Sequence, residues 1–306
     1  MAQHGISRPS GEIVRNEPVR HDVWLRNRLT GILTLTLTTP PGQYVSPGTG
    51  RLALTGEGPT AVVAQQAERA AGTPVLPGSG IKGAVRTHYE ILSSSCDPFA
   101  WTDRSRRHEE RCTRRSCCEA CSLFGVLGWT GRVSFGDAAP LGAGAVQTRV
   151  EEVPTPWGPH GDKTRGDFRI YDQAESVQFE EDTRTWRKRP KDLTREVYTG
   201  AFETRMTFWN TTAEELGRLL VAMGLGADEA TRFDLRLGGV KYDGKGAVTV
   251  APTRLRLSAG GVPGVLAEEA CRQQCRAWIL AARTSGWGRT FARTLDDLVR
   301  TLHRKD

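Results

Sequence analysis

Between residues 96 and 121 five cysteines stand in the order Cys96-x15-Cys112-x4-Cys117-Cys118-x2-Cys121. Thiolates are soft metal ligands. The Cys118-Glu119-Ala120-Cys121 pair has the two-residue gap of a knuckle, a turn in which two sulphurs bind one tetrahedral ion. Cys112 and either Cys96 or His108 complete a four-ligand set, and Cys117 is either the spare or exchanges with Cys118. A closed zinc site of this kind is structural, because it folds a segment too polar and too short to build its own core. Free buried thiols and a redox pair compete with it. A redox Cys-x2-Cys belongs at a helix start directly after a strand, which this segment does not suggest. Cys271 and Cys275, one helical turn apart, read as residues of a helix face. The seven cysteines are an odd number, and Met1–Arg20 has no apolar export signal, so thiols and metal ligands are expected rather than disulfides.

A second chemistry is written in Leu76-Pro77-Gly78-Ser79-Gly80-Ile81-Lys82-Gly83-Ala84-Val85-Arg86. It reads as a glycine turn entering a helix near Ile81. Glycines let backbone N–H groups approach a ligand without a Cβ between them. A helix N-terminus adds unpaired donors and partial positive charge. Lys82 and Arg86, four residues apart, share one helix face. Together these make a cradle for phosphates, built around Gly78, Ser79, Lys82 and Arg86. The competing reading is a plain helix entry with two solvated cations. A second glycine-rich basic loop, Leu237-Gly238-Gly239-Val240-Lys241-Tyr242-Asp243-Gly244-Lys245-Gly246, offers Gly239, Lys241 and Lys245.

The charge pattern points the same way. The net charge is +7, which favours a polyanionic partner. Six arginines fall between Arg104 and Arg115, and a second basic cluster surrounds Trp186. No run of about 18 apolar residues exists to cross a membrane. A cytoplasmic protein without a membrane partner is expected. No Gly-x-Ser-x-Gly elbow, His-Glu-x-x-His pair or kinase motif is present.

These residues need elements to position them. Leu29–Thr38 alternates leucine with threonine, the period of a half-buried strand. A Gly-, Pro- and Ser-rich stretch follows, with a short strand expected at 51–54 and a short helix at 62–71. A helix then runs from Ile81 to about Ser93, and a strand covers 131–138. Residues 148–199 read as a long hairpin-like insertion. A strand at 200–209 precedes a capped helix at 213–223, whose Leu216, Leu219, Leu220 and Met223 share a face. A further strand spans 248–257, and the tail is predominantly helical. Strand, helix, strand, strand, helix, strand is the ferredoxin-like order of an α+β fold, whose sheet is also the platform of RNA-recognition modules. The expected organisation is a polar arm at 1–20, one domain at 21–258 with insertions at 96–121 and 148–199, and a helical segment at 259–306.

Four ordered segments resemble the RAMP superfamily, the ferredoxin-like RNA-binding subunits of CRISPR effector complexes. They are Pro77–Arg86; Cys121-Ser122-Leu123-Phe124-Gly125 followed by Gly131–Ala138; Glu214-Glu215-Leu216-Gly217; and Leu237–Gly246. With the cysteine insertion, the chain is most similar to the backbone subunits of type III effectors. The resemblance implies guide-RNA binding, with target RNA, other RAMP-type subunits and copies of itself as partners, in RNA-guided antiviral defence. It implies that Ser79, Lys82 and Arg86 contact guide phosphates, and that 148–199 is a thumb with Trp186 or Phe179 as the wedge between bases. Target-cleaving relatives carry an Asp between the first strand and the glycine turn; residues 39–78 here contain none. A non-enzymatic scaffold is therefore expected. The alternative is an Mg2+-dependent endoribonuclease acting on target or guide precursor, with His21, Asp22 and Glu57 as its candidate catalytic groups. His88 reads as a packing or solvated residue, and Asp137 as a structural cap.

Overall fold

The computed structural model describes residues 3–7, 13–47, 51–55, 62–66, 69–93, 95–96, 112–153, 167–171, 193–241, 244–259, 262–285, 295–296 and 298–299. The strands that matter here are β1 (Leu29–Thr38), β2 (Arg51–Thr55), β3 (Val62–Gln66), β4 (Val133–Phe135), β5 (Val146–Val153), β6 (Leu193–Thr211), β7 (Ala247–Ala259) and β8 (Val262–Ala267). The helices are α1 (Gly78–Ile91), α2 (Glu119–Phe124), α3 (Ala213–Ala222) and α4 (Glu268–Thr284).

The leucine–threonine alternation makes β1 the centre of a mixed α+β protein. Leu33, Leu35 and Leu37 are buried, and the threonines between them are half exposed. β1 pairs antiparallel with β6 on one side and β7 on the other, Leu33 lying opposite both Met206 and Leu255. β4 pairs antiparallel with the far side of β6, Phe135 opposite Met206. The central strands therefore run in the order β7-β1-β6-β4. Their buried face meets Ile81, Val85 and Tyr89 of α1, Leu216, Leu219 and Leu220 of α3, and Trp278 of α4 in one core. Each buried leucine of β1 contributes about 1.5–3 kcal/mol. Thr212 caps α3 in a capping box with Glu215. Gly217 is required by α4: a Cβ there would stand 2.0 Å from the Trp278 carbonyl oxygen.

β6 is long enough to serve two ladders. Ala201–Thr211 belongs to the central sheet, while Leu193–Gly200 pairs antiparallel with β5. The turn between the two halves falls at Gly200, whose φ of +127° and close approach to the Ala145 carbonyl exclude a side chain. Gln3–Ser7, within the polar arm, pairs antiparallel with Asp167–Tyr171, within the insertion. Phe179 and Trp186 lie outside the described residues.

Three local expectations change. Val62–Gln66 is a strand, not a helix: its backbone pairs antiparallel with β2, so cross-strand pairing overrides the local composition. α1 begins at Gly78 rather than Ile81, so the expected glycine turn is the first turn of the helix. The tail opens with strand β8, which extends the edge of the sheet beyond β7 before α4 begins. No helix among the described residues is long and apolar enough to cross a membrane.

Candidate functional site

Four sulphurs converge beside α1. Cys96 follows the helix, Cys112 precedes α2, Cys118 is the N-cap of α2, and Cys121 lies in its body. Their Sγ atoms all lie within 4.8 Å of one another. The Cys96 and Cys121 sulphurs are 3.4 Å apart. A tetrahedral ion with Zn–S bonds of ~2.3 Å separates its sulphurs by ~3.7 Å, so the group matches a metal cage in size. Backbone N–H groups already address the sulphurs: Cys118 N–H donates to Cys112 Sγ at 3.1 Å, and Cys96 N–H to Cys118 Sγ at 3.5 Å. Hydrogen bonds from Cys112, Cys121 and Cys96 hold the Cys118 thiol well below its ordinary range.

Among the cysteines, geometry brings Cys96 into the group and leaves Cys117 out. Cys117 is buried outside the group, and its backbone exchanges two hydrogen bonds with Asn16. Burial pushes its thiol up to about 11. His108 lies outside the described residues. Cys271 and Cys275 are buried on α4, in the core. Among the described residues the cysteine group is the one cluster of three or more side chains that could hold a metal ion.

Arg86 is drawn into this cluster. Its Nε donates to Glu90 at 2.7 Å, Nη1 to the Gly125 carbonyl at 3.0 Å, and Nη2 to Cys121 Sγ at 3.5 Å. The guanidinium implied as a phosphate contact thus braces α1 against the knuckle. Lys82, one turn earlier, is half-buried and makes no hydrogen bond or ion pair among the described residues. Burial, reinforced by the neighbouring Arg86 charge, lowers its pKa.

The head of α1 also departs from expectation. Gly78 N–H donates to Asp137 Oδ1 at 2.8 Å, so a carboxylate from the segment after β4 caps the helix. Gly78 is buried, and a Cβ there would stand 2.1 Å from the Phe135 carbonyl. Its missing side chain makes room for β4, not for a ligand. Ser79, Gly80 and Gly83 are exposed, with open space where a Cβ on Gly80 or Gly83 would point.

The second glycine loop closes on residues 42–46. Gly239 N–H donates to the Ser46 carbonyl and Gly246 N–H to the Tyr44 carbonyl, each at 2.9 Å. Lys245 Nζ donates to the Gly42 carbonyl at 3.4 Å and lies 5.7 Å from the Tyr44 ring centre. Arg195 approaches Gly239, its Nη1 being 2.9 Å from where a Cβ would stand. Lys241 is lowered in pKa by burial. The charges of Lys241 and Arg236 reach His88 on α1. Burial, assisted by those charges and opposed by a 3.0 Å hydrogen bond to the Ala222 carbonyl, brings His88 down to about 4. His88 is a neutral core residue.

Of the nuclease candidates, His21 and Asp22 are chain neighbours beside one depression, each with a local partner. Asp22 is exposed and paired with Arg20 at 2.6 Å, a hydrogen bond that lowers its pKa. His21 packs edge-on against Trp129, 4.6 Å between ring centres. Glu57 and Trp186 lie outside the described residues.

One buried network went unread in the sequence. Arg132 is fully buried, donating to Glu215 through Nη2 at 2.5 Å and Nη1 at 3.0 Å, and to the Asn210 carbonyl at 2.7 Å. Glu215 also caps α3. Glu119, inside the knuckle, accepts from Tyr89 at 2.5 Å and pairs with Arg218 of α3. The knuckle, α1 and α3 are thereby tied by charge-assisted bonds. The signal was available: Arg132 and Glu215 both lie in apolar or helix-capping contexts that demand a partner.

A family model described as the RAMP superfamily matches residues 34–248. That interval contains α1, the cysteine group and the central strands from the middle of β1 to the start of β7. Members of that superfamily are typically CRISPR-associated, and their domains are ferredoxin-like in general. No curated protein matches the chain. With more than half of its length matched, this chain belongs to the RAMP superfamily.

Proposed function

We propose that the protein is a guide-RNA-binding backbone subunit of a type III-like CRISPR effector, with a structural zinc ion in the Cys96–Cys112–Cys118–Cys121 group. One observation carries the reading. At the head of α1, Ser79, Gly80 and Gly83 are exposed beside Lys82, a cation with no partner among the described residues. Exposed backbone without side chains, beside an unpaired ammonium, suits a phosphate. The antiparallel order β7-β1-β6-β4, with α1 and α3 in the connections, supports a ferredoxin-like core. The 148–199 insertion is the thumb in this reading. Other RAMP-type subunits and copies of the chain, stacked along the guide, are its neighbours.

The zinc ion supplies folding energy rather than chemistry. Its four thiolates join α2 to the end of α1, and the Arg86 bond to Cys121 keeps the helix in register with them. Asp22 engages Arg20, so the nuclease reading gains nothing from the described residues. The test is filter binding of full-length protein to its guide across a salt series. Lys82→Ala should weaken binding to every sequence and flatten the salt dependence by about 0.7 in log–log slope, one phosphate contact on a single strand. Unchanged binding at moderate salt would remove the α1 site from consideration.

A further inference from the structure

The 148–199 insertion leaves the body of the molecule through β5 and the first half of β6. That root has a small core of its own. Tyr44, Val153, Val197 and Val240 are buried together, apart from the main core. Val153 belongs to β5, Val197 to β6 and Val240 to the second glycine loop. Tyr44 supplies the largest of the four side chains and is 6% exposed. Two cations also address its ring. The Arg149 guanidinium of β5 lies 5.4 Å from the ring centre, and the Lys245 ammonium of the glycine loop 5.7 Å. Aromatic faces attract cations at such distances. One ring is thus shared by the root and the loop.

The backbone beside Tyr44 is divided in the same way. Val45 and Tyr198 exchange two hydrogen bonds, at 3.0 and 2.8 Å, and Ser46 Oγ donates to the Glu196 carbonyl at 3.3 Å. These bonds fasten residues 45–46 to the root. On the loop side, the Tyr44 and Ser46 carbonyls accept from Gly246 and Gly239, and Ala247 N–H donates to Gln43 Oε1 at 3.3 Å. Gly238 has a φ of +84°, and a Cβ there would stand 2.7 Å from the Ser46 carbonyl oxygen, so this closure requires glycine. The bend at Gly200 separates the root from the part of β6 that lies in the central sheet. Opening the small core would expose one ring and three valines and leave the leucines of β1 packed. Such units open at lower free energy than the whole fold.

We propose that Tyr44 is a positioning residue: its ring latches the root of the insertion to the second glycine loop, and so fixes the direction in which the insertion leaves the sheet. An aliphatic side chain could fill the same space among the three valines. It would not hold Arg149 and Lys245, because only a π face attracts both. The loop and the root then move as one body, and a change at Lys245 reaches β5 through the ring. The inference concerns the free protein and holds whatever the insertion binds. It therefore stands or falls separately from the phosphate site on α1.

The experiment is amide hydrogen exchange of the full-length protein without RNA, read by segment, together with the distance between two dyes. The dyes are attached at Glu152 on β5 and Leu280 on α4, both exposed. In Tyr44→Ala the amides of 146–153 and 193–199 should exchange roughly tenfold or more faster, while β1 and α3 keep the parental rates. The dye distance should change from one narrow distribution to a broad one. Tyr44→Phe should match the parent in both readouts, since the ring carries the contacts. Lys245→Gln should quicken exchange in β5 by roughly two- to fivefold, the value of one cation–π contact. The same change made on top of Tyr44→Leu should add nothing, because the ring that transmits it is gone. Should Tyr44→Ala fail to fold, that pair of Lys245→Gln measurements decides the matter. Unchanged exchange and distance in folded Tyr44→Ala overturns the inference. So does acceleration spread evenly over β1, α3 and the root, which would make Tyr44 a plain core residue. A Tyr44→Phe variant that behaves like Tyr44→Ala, or a Lys245→Gln effect that persists in Tyr44→Leu, overturns it as well.

Discussion

The two halves of α1 treat their polar residues in opposite ways. In the first two turns, Ser79, Gly80 and Gly83 are exposed, and Lys82 has no partner among the described residues. In the last two turns Arg86 bonds Glu90, Gly125 and Cys121, His88 bonds Ala222, and Tyr89 bonds Glu119. The same helix thus offers a ligand-facing end and a structural end. Lys82 and Arg86 share a face by spacing but not by fate. What separates them is the cysteine knuckle, which arrives beside the last two turns and supplies acceptors there.

Disrupting the structural end should have the largest effect. Cys118→Ser with Cys121→Ser removes half the ligand set. Zinc content by elemental analysis should fall from about one ion per chain to near zero, with a marked drop in melting temperature. Intact protein purified without zinc would end the metal reading. Next comes the pH response of His88. Its folded pKa of about 4 lies below the ordinary histidine value of about 6.5, so the unfolded chain takes up the proton first. Stability should therefore be complete above pH 6.5 and decline as pH falls towards 4, by up to about 3 kcal/mol. Denaturant titrations across that window should show a flatter dependence in His88→Gln.

Arg86→Ala sharpens the comparison most directly. It strips the guanidinium from the buried Glu90 carboxylate and from Cys121, and should cost about 2–3 kcal/mol, part of the buried-pair value because Arg86 is partly exposed. Zinc release to a chelator should quicken, while the RNA salt slope stays at the parent value. A slope reduced as in Lys82→Ala, with zinc retention unchanged, would return Arg86 to the phosphate site. Asp137→Ala should remove the cap on Gly78 for about 1 kcal/mol in thermal unfolding. Lys82→Ala should shift stability by less than about 0.5 kcal/mol, because the half-buried side chain makes no hydrogen bond or ion pair among the described residues, leaving its effect on RNA binding.

Much of this was legible from residue order. The Leu/Thr alternation of β1 and the Thr212–Glu215 capping box are local signals, set by periods of two and by a three-residue reach. The knuckle spacing likewise named Cys118 and Cys121, since adjacent ligands on a turn are close whatever surrounds them. Val62–Gln66 misled because its partner strand, not its composition, decides its conformation. The placement of residues 20–25 was unreadable: Leu25 and Asn210 are 185 residues apart in sequence, and the Asn210 side chain pins this segment to the sheet.

By itself the sequence determined which groups are chemically competent: sulphurs for a metal, glycines and cations for a phosphate, leucines for a core. Tertiary structure alone decided which of them are still available. Asp137 claimed the Gly78 donor, Phe135 claimed the space beside that glycine, and Cys121 and Glu90 claimed Arg86. The reason is that a buried polar group must be paired wherever the chain brings a partner, and those partners come from strands and turns distant in sequence.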